Sequence, residues 1–207
     1  MEVVYENTHV IIVSKRSGEI VQGDKTGDTP LSETVKAYLK TKYDKPGNVF
    51  LGVVHRLDRP VSGLVVFART SKALARLNKM FRDGEVHKTY WAIVQQRPAV
   101  REARLTGWIV RNERQNKSYV YDHEVPGSKR CELHYSAGEF DGEYTSVDIK
   151  LITGRSPQIR AQFSHAGHPL YGDVKYGGQK SSNGLGLISV YLAFNHPVSG
   201  ERMEFSL

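Results

Sequence analysis

Residues 53–70, VVHRLDRPVSGLVVFART, set a charged segment inside an apolar, strand-like run. Val53 and Val54 lead in, His55-Arg56-Leu57-Asp58-Arg59 interrupts, and the apolar pattern resumes at 64–68. Pro60 and Gly63 mark a turn. Taken alone, the segment reads as a surface turn with a local Asp–Arg ion pair, which contributes little when solvated. It also reads as a turn built to present one carboxylate, Asp58, at the end of a strand. The flanking sequence has to distinguish the two.

Outward from that turn, 71–84 reads as an amphipathic helix with Leu74, Leu77 and Phe81 on its apolar stripe, Lys72, Arg76 and Lys79 opposite, and Gly84 near its end. Residues 88–94, KTYWAIV, alternate as a strand, with Lys88, Tyr90, Ala92 and Val94 on one face and Thr89, Trp91 and Ile93 on the other. Further strands are expected near 104–110, 117–121, 130–136 and 144–152, the last with Val147, Ile149 and Leu151 inward. Gly154-Arg155-Ser156 then opens a helix, with Ser156 as cap, Pro157 at its first position and Gly167 at its end. Upstream, 10–13 is a buried strand, and Thr29 caps a helix whose first residue is Pro30. Strands at 188–194 and 203–207 flank a turn at 197–200, and Gly184-Leu185-Gly186 reads as a flexible connection. Cys131, Trp91 and Trp108 read as core, although an exposed tryptophan would be able to stack a base. Strands outnumber helices and short turns join them, which predicts a single α+β domain on a largely antiparallel sheet.

The 207 residues are 39% apolar and 25% charged, the composition of a globular chain. No apolar run approaches the roughly 20 residues that span a bilayer, and the N-terminus does not read as a signal peptide. Cys131 is the only cysteine, which excludes an internal disulfide and a cysteine zinc cage. A cytoplasmic protein without membrane attachment is expected. Lysine and arginine outnumber aspartate and glutamate by 29 to 22. The basic residues cluster on the 71–84 helix and at Arg101, Arg104, Arg111, Arg114 and Lys117. Such clusters suit a polyanion, with affinity that falls as salt rises.

Familiar catalytic devices are missing. There is no phosphate loop, dinucleotide fingerprint or nucleophile elbow. His165 and His168 have no neighbouring carboxylate before Asp173 and do not read as a metal site. What remains is Asp58, Tyr90 on its strand and Arg155 at a strand-to-helix junction. An arginine lowers a carboxylate's pKa and aims it. An ionised carboxylate beside a phenol suits chemistry at a glycosidic carbon. A glycoside hydrolase normally needs two carboxylates, and no second one has a comparable setting.

The chain resembles the RluA-type pseudouridine synthases nearly end to end. His55-Arg56-Leu57-Asp58 with Ser62-Gly63 resembles the first motif, and Lys88-Thr89-Tyr90-Trp91-Ala92 the second. Leu151-Ile152-Thr153-Gly154-Arg155 with Gln158-Ile159-Arg160 resembles the third. Gly167-His168-Pro169-Leu170, Gly172-Asp173 and Tyr176-Gly177 resemble the tail motif, and His196-Pro197 also fits. The resemblance implies a mixed, largely antiparallel sheet with flanking helices and a central RNA-binding cleft. It implies Asp58 acting at the anomeric carbon of a flipped uridine, Tyr90 packing on the base and moving the ribose 2′ proton, and Arg155 paired with Asp58. Arg56 would fill the gap left by the extruded uridine, and Arg59, His55, Lys88 and Arg160 would contact RNA. It implies no cofactor and no metal, a monomer, and a stem-loop in tRNA or rRNA as partner. A bare catalytic domain over 1–207, without a separate N-terminal RNA-binding domain, is expected. Val61, Pro157 and the Ile188-Ser189 pair depart from the family pattern, which usually has Thr, His and His-Ala there.

Overall fold

The computed structural model describes all 207 residues. In chain order the elements are β1 (Glu2–Glu6), β2 (Val10–Lys15), α1 (Leu31–Lys42), β3 (Gly52–Val53), β4 (Ser62–Ala68), α2 (Ser71–Asp83), β5 (His87–Gln95), β6 (Glu102–Asn112) and β7 (Lys117–Tyr121). They continue with β8 (Lys129–Phe140), β9 (Tyr144–Leu151), α3 (Gln158–His165), a 3-10 turn (Val174–Tyr176), β10 (Leu187–Asn195) and β11 (Arg202–Ser206). Strands dominate and the fold is α+β, as the alternating runs and short turns predict. The chain forms two compact units, one of Met1–His87 with Val190–Leu207 and one of Lys88–Ser189.

In the first unit the strands run β1-β2-β4-β10, with β3 on β4 and β11 on β10. β2 and β4 are antiparallel, Val10 opposite Ala68 and Lys15 opposite Gly63. Val10, Ile12, Leu64, Val66, Leu192 and Phe194 form a core with Ala73 and Leu77 of α2. The Thr70 side chain accepts from the Ala73 N–H at one end of α2, and Gly84 ends it in the left-handed region. α1 begins one residue later than expected, with Pro30 at the cap and no side-chain cap bond from Thr29. The reason is a partner from an earlier segment: the Leu31 and Ser32 N–H groups donate to the carbonyls of Ile20 and Val21, so the helix needs no cap.

In the second unit the order is β5-β9-β8-β6-β7. The pairs β5–β9, β9–β8, β8–β6 and β6–β7 are all antiparallel. One face of this sheet carries Ile109, Val120 and Cys131, which pack with Ala161 of α3 and Tyr176. Burial pushes the Cys131 thiol up to about 11, as befits a core cysteine. On the other face stand Trp91 and Trp108, half-buried instead of in the core. The basic run at 101–117 is also divided, because a strand alternates its side chains: Arg104 and Arg111 of β6 point to opposite faces.

The Gly184–Gly186 segment is fixed by close contacts. The Ile93 N–H donates to the Gly186 carbonyl and the Gly186 N–H to that of Tyr171. A Cβ on Gly172, whose φ is +78°, would lie 2.0 Å from the Gly184 oxygen, so both backbones need the glycine.

Candidate active site

The turn after β3 is built around its carbonyls. The Val61 N–H closes it on the Asp58 carbonyl at 3.0 Å. Lys15, at 1% exposure, sends its ammonium into the turn, to the carbonyls of Arg59 at 3.0 Å, Val61 at 2.5 Å and Arg16 at 3.1 Å. The Ser17 hydroxyl donates to the Pro60 carbonyl and the Gly18 N–H to that of Arg59. Residues 15–18 therefore hold all three carbonyls that follow Asp58. Leu57 and Val61 anchor it on either side as buried side chains, and Asp58 itself is half-buried. Gly63 sits at φ +115°, which L side chains rarely adopt, so the Ser-Gly step into β4 requires glycine.

The arginines of this segment differ in their surroundings. Arg59 bonds Thr26 and Asp28, and Arg56 is exposed. His55 supports the turn: its Nε2 accepts the Val66 N–H at 3.1 Å and its ring stacks on Phe81 at 4.8 Å. Burial pushes Lys15 down to about 8, while the Glu19 and Asp58 carboxylates act the other way.

In the second unit, Tyr90 is buried on β5 opposite Ile149 of β9. Lys88 lies on the same face, with its Nζ 3.4 Å from where a Cβ on Gly154 would stand. Desolvation lowers its pKa. The turn that carries Arg155 is held by neutral groups. The Glu132 carbonyl accepts from the Ile152 and Thr153 N–H groups and from Gln158 Nε2. Gln158 Oε1 accepts from the Thr153 hydroxyl at 2.8 Å and from the Arg155 N–H at 3.0 Å. Gln162, also buried, accepts from Gln158 Nε2 and ties the network to the Leu105 carbonyl. α3 begins at Gln158 with Pro157 at its cap, one residue later than expected, and its first N–H, that of Gln158, donates to the Arg155 carbonyl at 2.8 Å.

The profile of the family described as RNA pseudouridylate synthase matches residues 9–165. The chain belongs to this family. It is 31% identical to the ribosomal large subunit pseudouridine synthase D of Zymomonas mobilis, over 99% of this chain and 68% of that protein. It is 31% identical to the ribosomal large subunit pseudouridine synthase C of Haemophilus influenzae, over 99% and 64%. An uncharacterized RNA pseudouridine synthase of Bacillus subtilis, YjbO, is 29% identical over 99% and 71%. Among solved structures, human RNA pseudouridylate synthase domain containing 4 superposes with a TM-score of 0.83 at 18% identity, covering 100% of this chain and 87% of that one. The human protein domain containing 1 gives 0.76 at 22%. The family's chemistry is isomerisation of uridine to pseudouridine in RNA.

Several family motif residues are framework. Arg160 makes a two-point ion pair with Asp173, both contacts at 2.7 Å, and its guanidinium lies over Tyr176. Side-chain exposures of 11% and 1% make this an interior pair, which turns toward Asp173 the guanidinium that the sequence assigns to RNA. The Tyr176 hydroxyl accepts the Ser118 N–H, and Leu170 bridges to Val94. His165 bonds Asp122, and His168 bonds the Gln95 carbonyl. Asp58, Arg56, His55 and Arg59 thus lie in the first unit, and Lys88, Tyr90, Arg155 and Arg160 in the second.

Sequence reasoning missed Lys15 and Glu132. Lys15 had one signal: it falls in phase with the apolar Ile11 and Val13, on a face where an inward lysine needs a reason. Glu132 had none, since its part is played by its carbonyl and by strands distant in sequence.

Proposed function

We propose that this chain isomerises specific uridines in structured RNA, with large-subunit ribosomal RNA the first candidate because two of the relatives above carry that description. The observation that carries the reading is the Asp58 turn. Three successive carbonyls held by residues 15–18 serve no need of a surface loop, but they fix a half-buried carboxylate. A base in a stack cannot be turned over, so the target uridine is first flipped out, at a cost of a few kcal/mol. Asp58 then acts at the anomeric carbon as the N1–C1′ bond breaks. Tyr90 packs on the uracil and handles the ribose 2′ proton, and Arg155 is the cation assigned to Asp58. The uracil rotates, a C5–C1′ bond forms, and the C5 proton leaves as N1 gains one, so composition is unchanged. Arg56, exposed beside the turn, is assigned to the RNA. The reading calls for no metal or cofactor, and for a cytoplasmic protein.

The test is to incubate unmodified 23S rRNA and tRNA transcripts with the protein and map pseudouridine by carbodiimide-dependent primer-extension stops. Stops at one or a few uridines in the ribosomal transcript support the reading. Stops in tRNA alone move the substrate class. No stops in either transcript contradict it.

A further inference from the structure

The second unit has a sheet face that its helix does not cover. α3 packs on the face that carries Ile109, Val120 and Cys131. The opposite face bears Trp108 of β6, which is in register with Arg130 of β8 on one side and Tyr121 of β7 on the other. Tyr119 follows on β7, opposite Val110. Tyr119 and Tyr121 are exposed, at 36% and 38%. His123 stands edge-on to Tyr121 at 6.4 Å.

One buried carboxylate organises the cations on this face. Glu132 is 5% exposed at its side chain, yet Arg104 and Arg130, which bond it, remain 56% and 64% exposed. Arg104 reaches Oε1 through Nε, at 2.6 Å, and through Nη2, while Arg130 reaches Oε2 through Nη2 at 3.2 Å. A guanidinium has five N–H donors, so each arginine keeps several that Glu132 does not use. Two arginines share one carboxylate, which leaves the trio positive. A surface ion pair needs no buried anchor, but a preorganised pair of guanidiniums does. The result is two fixed cations and an aromatic row on adjacent strands about 5 Å apart.

We propose that this face binds an unpaired segment of the RNA substrate, with a base stacked on Trp108 or Tyr121 and phosphates on Arg104 and Arg130. The proposal rests on the reading that the substrate is RNA. Unpaired bases stack on aromatic side chains and arginine planes, and duplex RNA offers no such faces. The chemistry therefore favours a single strand over a stem. The platform is also joined to the Arg155 turn, because the carbonyl of the same Glu132 holds Ile152, Thr153 and Gln158.

The test uses rU12 as the single strand and rU12 annealed to rA12 as the duplex, with affinities measured by fluorescence anisotropy across a salt series. Trp108→Ala is expected to weaken rU12 binding about tenfold, with Trp108→Phe close to wild type and duplex binding unchanged. Arg130→Gln is expected to lower the slope of log affinity against log salt by about 0.7. Lys36→Gln, which removes a half-buried charge paired with Glu33 on α1, is expected to leave that slope unchanged. Photocrosslinks from 4-thiouridine in the single strand should map to Trp108 or Tyr121. Unchanged rU12 affinity in both folded Trp108→Ala and folded Tyr121→Ala overturns the platform, as does an equal effect of Lys36→Gln. If Trp108→Ala does not fold, Tyr121→Ala and Arg130→Gln decide by the same readout. Failure of the catalytic reading is seen separately: rU12 binding through Trp108 with no transcript modified keeps the platform and loses the reaction.

Discussion

The Asp58 turn and the Arg155 turn solve the same problem with different chemistry. Each must hold a short irregular segment so that one charged side chain points in a fixed direction. At Asp58 a buried ammonium, Lys15, gathers the carbonyls. At Arg155 neutral amides do so, through Gln158, Gln162 and the Glu132 carbonyl. A neutral network is indifferent to pH. An ammonium has three donors only while it is protonated. The group that holds the carboxylate turn is therefore titratable, whereas the Gln158 and Gln162 amides at the cationic turn are not.

The largest expected effect lies behind the Arg155 turn. Asp173→Ala removes the carboxylate that pairs with the interior Arg160 guanidinium, which should cost about 4 kcal/mol in urea unfolding. A loss under about 1 kcal/mol would mean that the Arg160–Asp173 pair is not the support of this unit. Lys15→Met comes next. It strips the buried Val61 carbonyl of its partner and weakens the hold on those of Arg59 and Arg16, for about 2 kcal/mol of stability. Turnover should fall further than stability, because the turn that loses its anchor presents Asp58. Retained turnover in Lys15→Met would erase the contrast between the two turns.

The pH dependence sharpens the contrast. Lys15 has a folded value of about 8 against an ordinary 10.5. Between those values the unfolded chain binds the extra proton, so this shift makes stability rise with pH. The loss falls on the turn, where a neutral amine has two donors for three carbonyls. Single-turnover rates should decline above pH 8 by about tenfold per unit, as for one essential protonation. Lys15→Arg stays charged and should flatten that limb if the guanidinium is accommodated. Gln158→Leu should be slower throughout, with the limb in the same place. A limb that moves in Gln158→Leu and stays in Lys15→Arg would reverse the assignment. The smallest effect is Val61→Thr, which restores the usual family residue at a site 3% exposed. A buried hydroxyl there should cost about 1 kcal/mol, read as a lowered Tm with the rate unchanged.

Much of this was legible in the sequence, for a physical reason. Elements set by local periodicity came through: α2 with its Gly84 end, β5 with Tyr90 inward, and the turn at Asp58. What local pattern cannot carry is a partner from elsewhere in the chain. Thr29 reads as a cap only until the Ile20 and Val21 carbonyls take its place. Arg160 looks available to RNA until Asp173 closes on it. The arginines of 101–117 look like one patch until a strand period of two sends them to opposite faces. Gly184–Gly186 looks flexible because glycine marks both loose loops and close backbone contacts.

The most direct test of the central claim is tritium release from ribosomal RNA transcripts carrying uridine labelled at ring carbon 5, with wild type compared to Asp58→Asn. Rejoining through that carbon must expel its hydrogen. Release by wild type and none by a folded, RNA-binding Asp58→Asn is the predicted result. Equal release by both proteins would show that the turn presents something other than the catalytic carboxylate.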